Sequence, residues 1–502
     1  MLNSKKSQVV SAKKTAYLIG IKGVGMTALA QVLKARGWRV EGSDTHERFF
    51  TDTVLKRHGI AVYNGFSGRR IAVLATSNAK HHTPSPLIIA SSAYGNTNPE
   101  VREAMRRGLR VHAYSEVLGK LFNEQEGIAV CGSHGKTTTS ALLGWVFKKA
   151  GLGPTVVVGS EVLQFGGNAI AGRGKYFIAE TDEYQNKLRY FKPKAVLLTN
   201  IDYDHPDFFK TRAAYRNAFR AFIARLPKNG LLVACGDDAE VLKVFPAAKA
   251  RVVTFSLNRV QYDKKLLSNS GKLESGLENT WEARSIMAHG GRWAFDAYKN
   301  GKKFGAFSLR LAGRHNVQNA LGVIALSHAY GVSKRLLRQA LVSFRGTRRR
   351  FERVGMYHGA MLIDDYAHHP TEISATLRAT RELHPDKRII AVFHPHTYSR
   401  TKSMLNEFAA AFTDADEVIV LDVYGSARER TGTVGSKELV QEMSKRHVGA
   451  RHIPTIERAI AYLRKHLKKT DVLITLGAGD VWRVAAGLTR PGAHRILGDV
   501  IG

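Results

Sequence analysis

The sequence predicts an α/β protein made of three doubly wound blocks, and three observations predict it. An apolar run, a glycine turn and an apolar-spaced helix open the chain at 17–35. The same order recurs around a second glycine loop at 128–140, and four apolar strands alternate with helical segments across the last third. Strands that alternate with helices argue for mostly parallel sheets covered on both faces.

Taken in order, 17–20 reads as a buried strand, Gly23 and Gly25 as a tight turn, and 26–35 as a helix. A second strand at 39–41 leads to Ser43 and Asp44, which completes a βαβ start and a Rossmann-like N-terminal domain. A strand at 87–93, "LIIASSA", ends on small polar residues, and "NEQEG" after Phe122 reads as a linker. The first block is therefore 1–122. The second, 123–344, opens on "IAVCGSHGKTTTS" and carries strands at 176–181 and 195–201, a polar turn at 202–207 and a helical segment to Ile223. A polar insertion near 262–280 and a helix over 316–330 complete it. The third, 345–502, has strands at 360–366, 388–395, 417–423 and 471–479. Ligands of such sheets sit at the carboxyl ends of strands, where Asp365, His396, Asp422 and Gly477 fall.

Composition narrows the class. A chain of 502 residues that is 44% hydrophobic is globular and can bury several cores. Cys131 and Cys235 are its only cysteines, so no disulfide framework exists, which suits a reducing cytoplasm. The lysine-bearing N-terminus lacks an apolar stretch of signal-peptide length. Apolar runs such as 418–421 are too short to span a bilayer. A soluble, cytoplasmic protein that engages no membrane is expected. Lys and Arg total 76 against 42 Asp and Glu, a net charge of +34. Such a field attracts polyanions, and a nucleic-acid-binding ATPase is one reading of it. The basic residues are spread from end to end, however, and the densest knot, "RGTRRRFERV" at 345–354, is short. Solvated basic faces on an enzyme with anionic substrates, and no specific nucleic acid, fit that spread better. Nothing in the sequence fixes an oligomeric state.

The loop Gly132-Ser133-His134-Gly135-Lys136-Thr137 is a shortened phosphate-binding loop that ends in Thr138 and Thr139. A helix N-terminus offers backbone N–H groups to phosphate, the lysine reaches the outer phosphates, and a threonine hydroxyl can ligate Mg2+. With a strand before and a helix after, the loop predicts a central P-loop ATPase domain. The N-terminal glycines are weaker evidence. A dinucleotide fingerprint wants glycine at 20, 22 and 25, and position 22 is Lys22, so a nicotinamide-cofactor reading fails. Another diphosphate can still lie on that turn. Acids and histidines follow the central strands: Glu180, Asp182 and Glu183, then Asp202, Asp204, His205 and Asp207. Beside a phosphate loop they are candidates for the few protein ligands that nucleotide-bound Mg2+ takes. Asp364, Asp365, His368 and His369 form no zinc pattern but can orient a substrate amine or phosphate.

Ten motifs in order carry a resemblance: "GIKGVGMT" with "GSD" (20–27, 42–44), "SSA" (91–93), "GSHGKTTT" (132–139), "AETDEY" (179–184), "TNIDYDHPD" (199–207), "GRHNVQNA" (313–320), "RRFE" (349–352), "DDYAHHPTE" (364–372), "HPHTYSRT" (394–401) and "GAGD" (477–480). Over nearly the whole chain they resemble the Mur ligases. The resemblance implies a UDP-sugar domain, a central ATPase and a C-terminal amino-acid domain. It implies ATP- and Mg2+-dependent amide formation through an acyl phosphate. L-alanine would be joined to UDP-N-acetylmuramate in peptidoglycan precursor synthesis; a whole tripeptide is the alternative acceptor.

By motif, Gly132, Ser133, His134, Gly135, Lys136, Thr137, Thr138, Asn316, Asn319 and Arg350 would hold ATP. Thr137, Glu180 and His205 would hold Mg2+, and Asp365 would reach the phosphates and ribose. Gly20, Gly23, Gly25, Met26, Asp44, Ser91 and Ser92 would bind the UDP-sugar. His368, His396 and Arg400 would line the amino-acid pocket, with Arg400 meeting the acceptor's carboxylate. Three departures stand out. Lys22 replaces a glycine of the family's loop and is expected to add a cation beside the diphosphate. Thr397 replaces an arginine, and "DEYQN" is closer to the tripeptide-adding relatives.

Overall fold

The strand β1, Thr15–Ile19, is buried at every position because helices cover both faces of the sheet it joins. It belongs to a computed structural model that describes residues 14–80, 85–257, 279–289, 291–425, 434–446 and 449–489. The first sheet runs β3-β2-β1-β4-β5 and is parallel throughout, with β2 at Arg39–Asp44, β3 at Ala61–Asn64, β4 at Leu87–Ala90 and β5 at Val111–Ala113. Strand order reverses between β1 and β4, so a crevice opens above their carboxyl ends. Gly20 and Ser91 sit there, and the strand expected over 87–93 stops at Ala90 to leave the serines in a turn.

The second sheet has ten described strands in the order β15-β14-β13-β12-β11-β10-β6-β9-β7-β8. At its centre β6 (Glu126–Cys131) lies between β10 (Ala195–Leu198) and β9 (Tyr176–Glu180), parallel to both. The phosphate-type loop, Glu180 and Asn200 therefore leave the sheet side by side. Strands β7 (Thr155–Val162), β11 (Leu231–Cys235) and β12 (Arg251–Ser256) extend the parallel array. β8 (Gly167–Ala171) pairs antiparallel with β7. β13 (Thr280–His289), β14 (Arg292–Lys299) and β15 (Lys302–Leu309) form an antiparallel meander at the other edge. The sequence pattern did not expose these antiparallel additions. Their short alternating runs lack the flanking helices that mark βα units. Of the expected polar insertion, 262–278 lies outside the described residues.

The third sheet runs β16-β17-β21-β18-β19-β20, parallel except for β16 (Glu352–Tyr357) against β17 (Ala360–Asp365). Its other strands are β18 (Ile389–Phe393), β19 (Glu417–Val420), β20 (Ala450–His452) and β21 (Val472–Leu476). Observed strands end one to three residues before the expected ones, because the polar residues at their carboxyl ends turn out of the sheet. The fold is thus three α/β domains. No described helix is long and apolar enough to cross a membrane.

The first two sheets share one apolar core. Phe122 is fully buried at their joint, with ring centroids 5.7 Å from Phe177 and 5.2 Å from Phe191. A Cβ at Gly127 would come within 2.2 Å of the Phe122 ring, so glycine is required there. Polar ties fix the same joint: Gln31 Nε2 donates to Asn168 Oδ1 at 2.8 Å, and Asn168 Nδ2 donates to the Val24 carbonyl. Phe122→Ala is expected to cost roughly 3–5 kcal/mol, the range for emptying a packed phenylalanine site. A urea-unfolding midpoint equal to that of the unsubstituted protein would refute this account of the joint.

Candidate active site

The loop after β6 turns sharply because Gly132 and Gly135 take φ of 132° and 77°. A Cβ on Gly132 would lie 2.2 Å from Thr199 Oγ1, and one on Gly135 2.9 Å from the Asn319 amide. Asn200 holds the loop from β10: its carbonyl accepts Ser133 N at 3.0 Å and its Oδ1 accepts His134 N at 2.8 Å. Lys136 opens the helix Lys136–Lys149 and folds back onto its own loop. Its Nζ donates to the Gly132 and Ser133 carbonyls and lies 3.4 Å from Glu183 Oε2. Burial opposes its charge, but Glu183, Asp182 and Glu180 outweigh this and hold its pKa above the ordinary value.

Thr137 Oγ1 donates to Glu180 Oε1 at 2.9 Å, and Gly159 N donates to Glu180 Oε2 at 2.6 Å. His205 has the left-handed φ of 57°, rare outside glycine and costly enough to need support. Its Nε2 lies 4.0 Å from Glu183 Oε1, and Tyr184 stacks on its ring at 4.5 Å. Among the described residues, two groups bring three possible metal-ligand atoms within 4.8 Å of one another: Asp182, Glu183 and His205, and His134, Asp202 and His369. Of the expected trio only His205 falls in such a group, with Asp182 and Glu183, while Thr137 and Glu180 bond each other; Glu183 is buried and also bonded by Tyr215 OH at 2.8 Å.

A cavity of about 550 Å³ lies between the second and third sheets. It is lined by His134, Gly135, Thr138, Asn316, Asn319, Arg350 and Asp365, so residues far apart in sequence meet in one space. Asn316 Nδ2 donates to the Ala312 carbonyl at 2.6 Å, and Asn319 Nδ2 lies 3.4 Å from Asn316 Oδ1. Burial raises the Asp365 carboxyl to about 6 against the pull of Arg350, and both its oxygens accept backbone N–H groups, from Phe351 and Ala367, at 2.7 Å.

Acceptor-side residues stand at the same seam. His368 has its pKa lowered to about 3, chiefly by burial, and its Nδ1 lies 3.0 Å from the Tyr366 carbonyl. A carbonyl only accepts, so Nδ1 carries the proton and Nε2 keeps its lone pair. The His396 ring stands 6.0 Å away at 80°. Arg400 corrects the expectation of a fork awaiting a carboxylate: it already holds one. Its Nε and Nη2 donate to Asp204 Oδ1 at 3.1 and 2.8 Å, and its Nη1 lies 3.1 Å from His396 Nδ1. Burial opposes the Asp204 charge, but Arg400 prevails and holds it far below the carboxylate range.

A second cavity, of about 950 Å³, opens over β1 and β4 and is lined by Gly23, Gly25, Met26, Ser91 and Ser92. Gln185, Lys187, Arg189 and Tyr190 close it from the second domain. Gly20 and Asp44 do not line it. Gly20 packs under the Tyr94 ring, and Asp44 accepts from Lys22 N at 2.7 Å and Tyr94 OH at 3.2 Å, one layer behind. Lys22 is a second correction. Its Nζ is buried against the Thr45 and Glu47 carbonyls at 2.9 and 2.8 Å and lies 3.3 Å from Asp52. It pins the loop after β2 and does not face a diphosphate. Sequence reasoning missed Lys187, Arg189, Tyr215 and Glu372 as site residues. Of these only Glu372 left a trace, as an acid in the first turn of the helix Pro370–Leu383.

Comparison with known proteins agrees with this arrangement. Three family models match in order: Mur ligase family, catalytic domain, over 15–126; Mur ligase middle domain over 130–327; and Mur ligase, glutamate ligase domain, over 349–479. The chain is 38% identical over 474 residues to the UDP-N-acetylmuramate–L-alanine ligase of Desulfitobacterium hafniense, covering 94% of this chain and 98% of that one. The corresponding enzyme of Caldanaerobacter subterraneus is 34% identical over 94% of this chain and 96% of its own. Among solved structures, the UDP-N-acetylmuramate-alanine ligase of Thermotoga maritima superposes with a TM-score of 0.75 at 26% identity, over 95% of this chain and 98% of that one. A murein peptide ligase of Psychrobacter arcticus shares the fold, with a TM-score of 0.66 at 22% identity over 97% and 100%.

The loop histidine yields a pH prediction. Burial disfavours a charge on His134, but hydrogen bonds to Asp202 and Glu372 outweigh it and raise its pKa to about 9. A raised folded-state pKa stabilises fully below the unfolded value near 6.5 and is lost as pH rises through about 9. Stability should therefore fall by roughly 2–3 kcal/mol between pH 7 and 9.5 from this group. His134→Gln should remove that part of the decline, as urea unfolding at both pH values would register.

Proposed function

The chain belongs to the Mur ligase family, and on that premise we propose that it joins L-alanine to the carboxylate of UDP-N-acetylmuramate at the expense of ATP. The observation that carries the reading is the shared seam: His134 and Gly135 of the phosphate-type loop line one cavity with Arg350, Asp365 and Glu372 of the third domain, and Arg400 crosses the same seam to Asp204. Phosphoryl transfer and amine attack need that adjacency. The division at 1–122, 123–344 and 345–502 gives each substrate a sheet of its own.

ATP fits the smaller cavity. The loop N–H groups and Lys136 would hold its phosphates, with Ser133, Thr137 and Thr138 along the turn. Asn316 and Asn319 would face adenine, and Arg350 would reach in from the third domain. The UDP-sugar fits the larger cavity, its diphosphate on the turn of Gly23 and Gly25 and its carboxylate pointing toward Lys136.

A divalent cation also fits. Thr137 and Glu180 present oxygen atoms 2.9 Å apart at the head of the loop, and His205, held in a strained backbone, stands with Asp182 and Glu183. That oxygen-rich set, with Glu183 behind it, suits Mg2+. The ion would neutralise phosphate charge that Lys136 and Arg350 also meet.

The substrate carboxylate attacks the γ-phosphorus, the β–γ bridge breaks, and ADP leaves an acyl phosphate. Lys136 loses its carbonyl partners to the phosphates and follows the transferring charge. The amine of the acceptor then attacks the acyl carbon, and phosphate departs. The amine proton passes to the departing phosphate, and His368 Nε2, left with its lone pair, would accept an N–H from the amine and hold it in line. Burial of the seam keeps water from the acyl phosphate.

Phosphate release with UDP-N-acetylmuramate and a panel of L-alanine, L-serine, glycine and a tripeptide tests the reading. L-alanine should be the preferred acceptor. Use of the tripeptide alone would replace the acceptor, and release with none would overturn the assignment. Lys136→Ala should abolish turnover in a protein that stays folded. Arg400→Ala should raise the L-alanine KM by tenfold or more while the UDP-N-acetylmuramate KM changes little. It should also cost roughly 3–5 kcal/mol, because Asp204 is left buried without its cation. An unchanged L-alanine KM in that variant would place the acceptor's carboxylate elsewhere.

A further inference from the structure

Glu372 has no part in the chemistry above, yet its carboxylate joins four groups at the seam. It stands in the first turn of the helix Pro370–Leu383, and its side chain is mostly buried at the edge of the smaller cavity. Oε1 lies 3.3 Å from His134 Nδ1 and 3.5 Å from Arg350 Nη1. Oε2 accepts the His368 backbone N–H at 3.1 Å and lies 3.3 Å from His368 Nδ1. One carboxylate thus touches the phosphate loop of the second domain and both the phosphate-side arginine and the acceptor-side histidine of the third.

His134 is held from both sides. Its Nε2 donates to Asp202 Oδ2 at 2.9 Å while Nδ1 faces Glu372. Both ring nitrogens meet carboxylates, so the ring is a doubly donating imidazolium and adds a cation to the loop that carries Lys136. Asp202 also accepts from Thr371 Oγ1 at 2.6 Å and lies 3.4 Å from His369 Nδ1. The third domain therefore supplies the second clamp on His134, and it does so only when seated on the loop.

We propose that Glu372 is a positioning residue: on seating of the third domain it fixes His134, Arg350 and His368 together, so that phosphate-side and acceptor-side groups assemble in one step. The proposal rests on the ligase reading for its kinetic consequence, and on geometry alone for the link to His134. Glu372 reaches ATP through Arg350 and His134 and reaches the acceptor through His368. Its loss should lower the rate of both half-reactions more than the affinity for any substrate.

The test uses Glu372→Gln, which keeps the size and one acceptor for the His368 N–H but loses the charge. We expect kcat to fall 30- to 300-fold, with the KM of ATP and of L-alanine changing less than threefold. Hydroxylamine, a small amine without a carboxylate, should trap acyl phosphate as hydroxamate at a rate reduced by a similar factor. In a His134→Gln background the same substitution should lose the part of its effect that runs through His134 and keep the part that runs through Arg350 and His368. Histidine-ring NMR should show the His134 titration moving down in Glu372→Gln, with Asp202 and His369 still facing the ring. A kcat within threefold of the unsubstituted protein, or effects that simply multiply in the double variant, would overturn the proposal. So would a kcat that recovers on cooling in step with regained stability, which marks a helix-capping role only. An unsubstituted protein inactive with every acceptor, yet showing the NMR shift, would overturn the ligase reading and leave the Glu372–His134 link standing.

Discussion

The site depends on how residues 199–205 leave the central sheet. This short segment follows β10 and carries Asn200, Asp202, Asp204 and His205, each committed to a different part of the molecule. Asn200 sets the phosphate loop, Asp202 clamps its histidine, Asp204 binds Arg400 of the third domain, and His205 turns toward Glu183. Two of the four are carboxylates, Asp202 partly exposed and Asp204 in largely dry surroundings. An uncompensated charge there would cost several kcal/mol. Only cations from the loop and from the third domain remove that cost. Seating of the third domain is therefore an electrostatic requirement of the second, and the closed seam and the competent site are one state.

The same interior pairing takes several acids away from the surface. Glu180, Glu183, Asp202, Asp204 and Glu372 are spent inside on hydroxyl and N–H donors and on cations. What remains at the surface of a +34 chain is largely basic. The proposed substrates bear a triphosphate, a diphosphate and carboxylates, and a positive field raises their encounter rate without fixing where they bind. Specific binding falls to the two cavities, where backbone N–H groups and a few placed cations act at short range.

Most of the three-sheet plan was legible because buried parallel strands read as apolar runs and their loops carry glycine. The glycine loop at 132–137 and the asparagines of "GRHNVQNA" predicted one face of the smaller cavity. Legibility ended where a side chain's direction decides the outcome. Lys22 stands in a glycine turn, and only the fold shows that its ammonium runs back to the Thr45 and Glu47 carbonyls. Asp44 looked like a ligand contact and proves to hold the turn from behind. Arg400 was read as an acceptor-side residue, but its partner Asp204 lies 196 positions away, beyond any local pattern. Glu372 was hidden for the same reason: an acid in the first turn of a helix is ordinarily explained by the helix dipole alone.

The Asp204–Arg400 pair also shapes how an acceptor can bind. A guanidinium carries five N–H donors. Two, on Nε and Nη2, go to a single oxygen of Asp204, and one on Nη1 goes to His396. One N–H on each terminal nitrogen then lies outside these contacts, and a planar carboxylate can meet both without displacing Asp204. An acceptor carboxylate bound there leaves the buried aspartate neutralised throughout the cycle. A lysine at position 400 would have to choose between the two anions, since an ammonium lacks the second edge. Thr397, which takes the left-handed φ of 67° at the start of the helix Tyr398–Ser403, adds no cation to that edge. On the proposed reading a single arginine would serve both as the counter-ion of Asp204 and as the group that receives the acceptor.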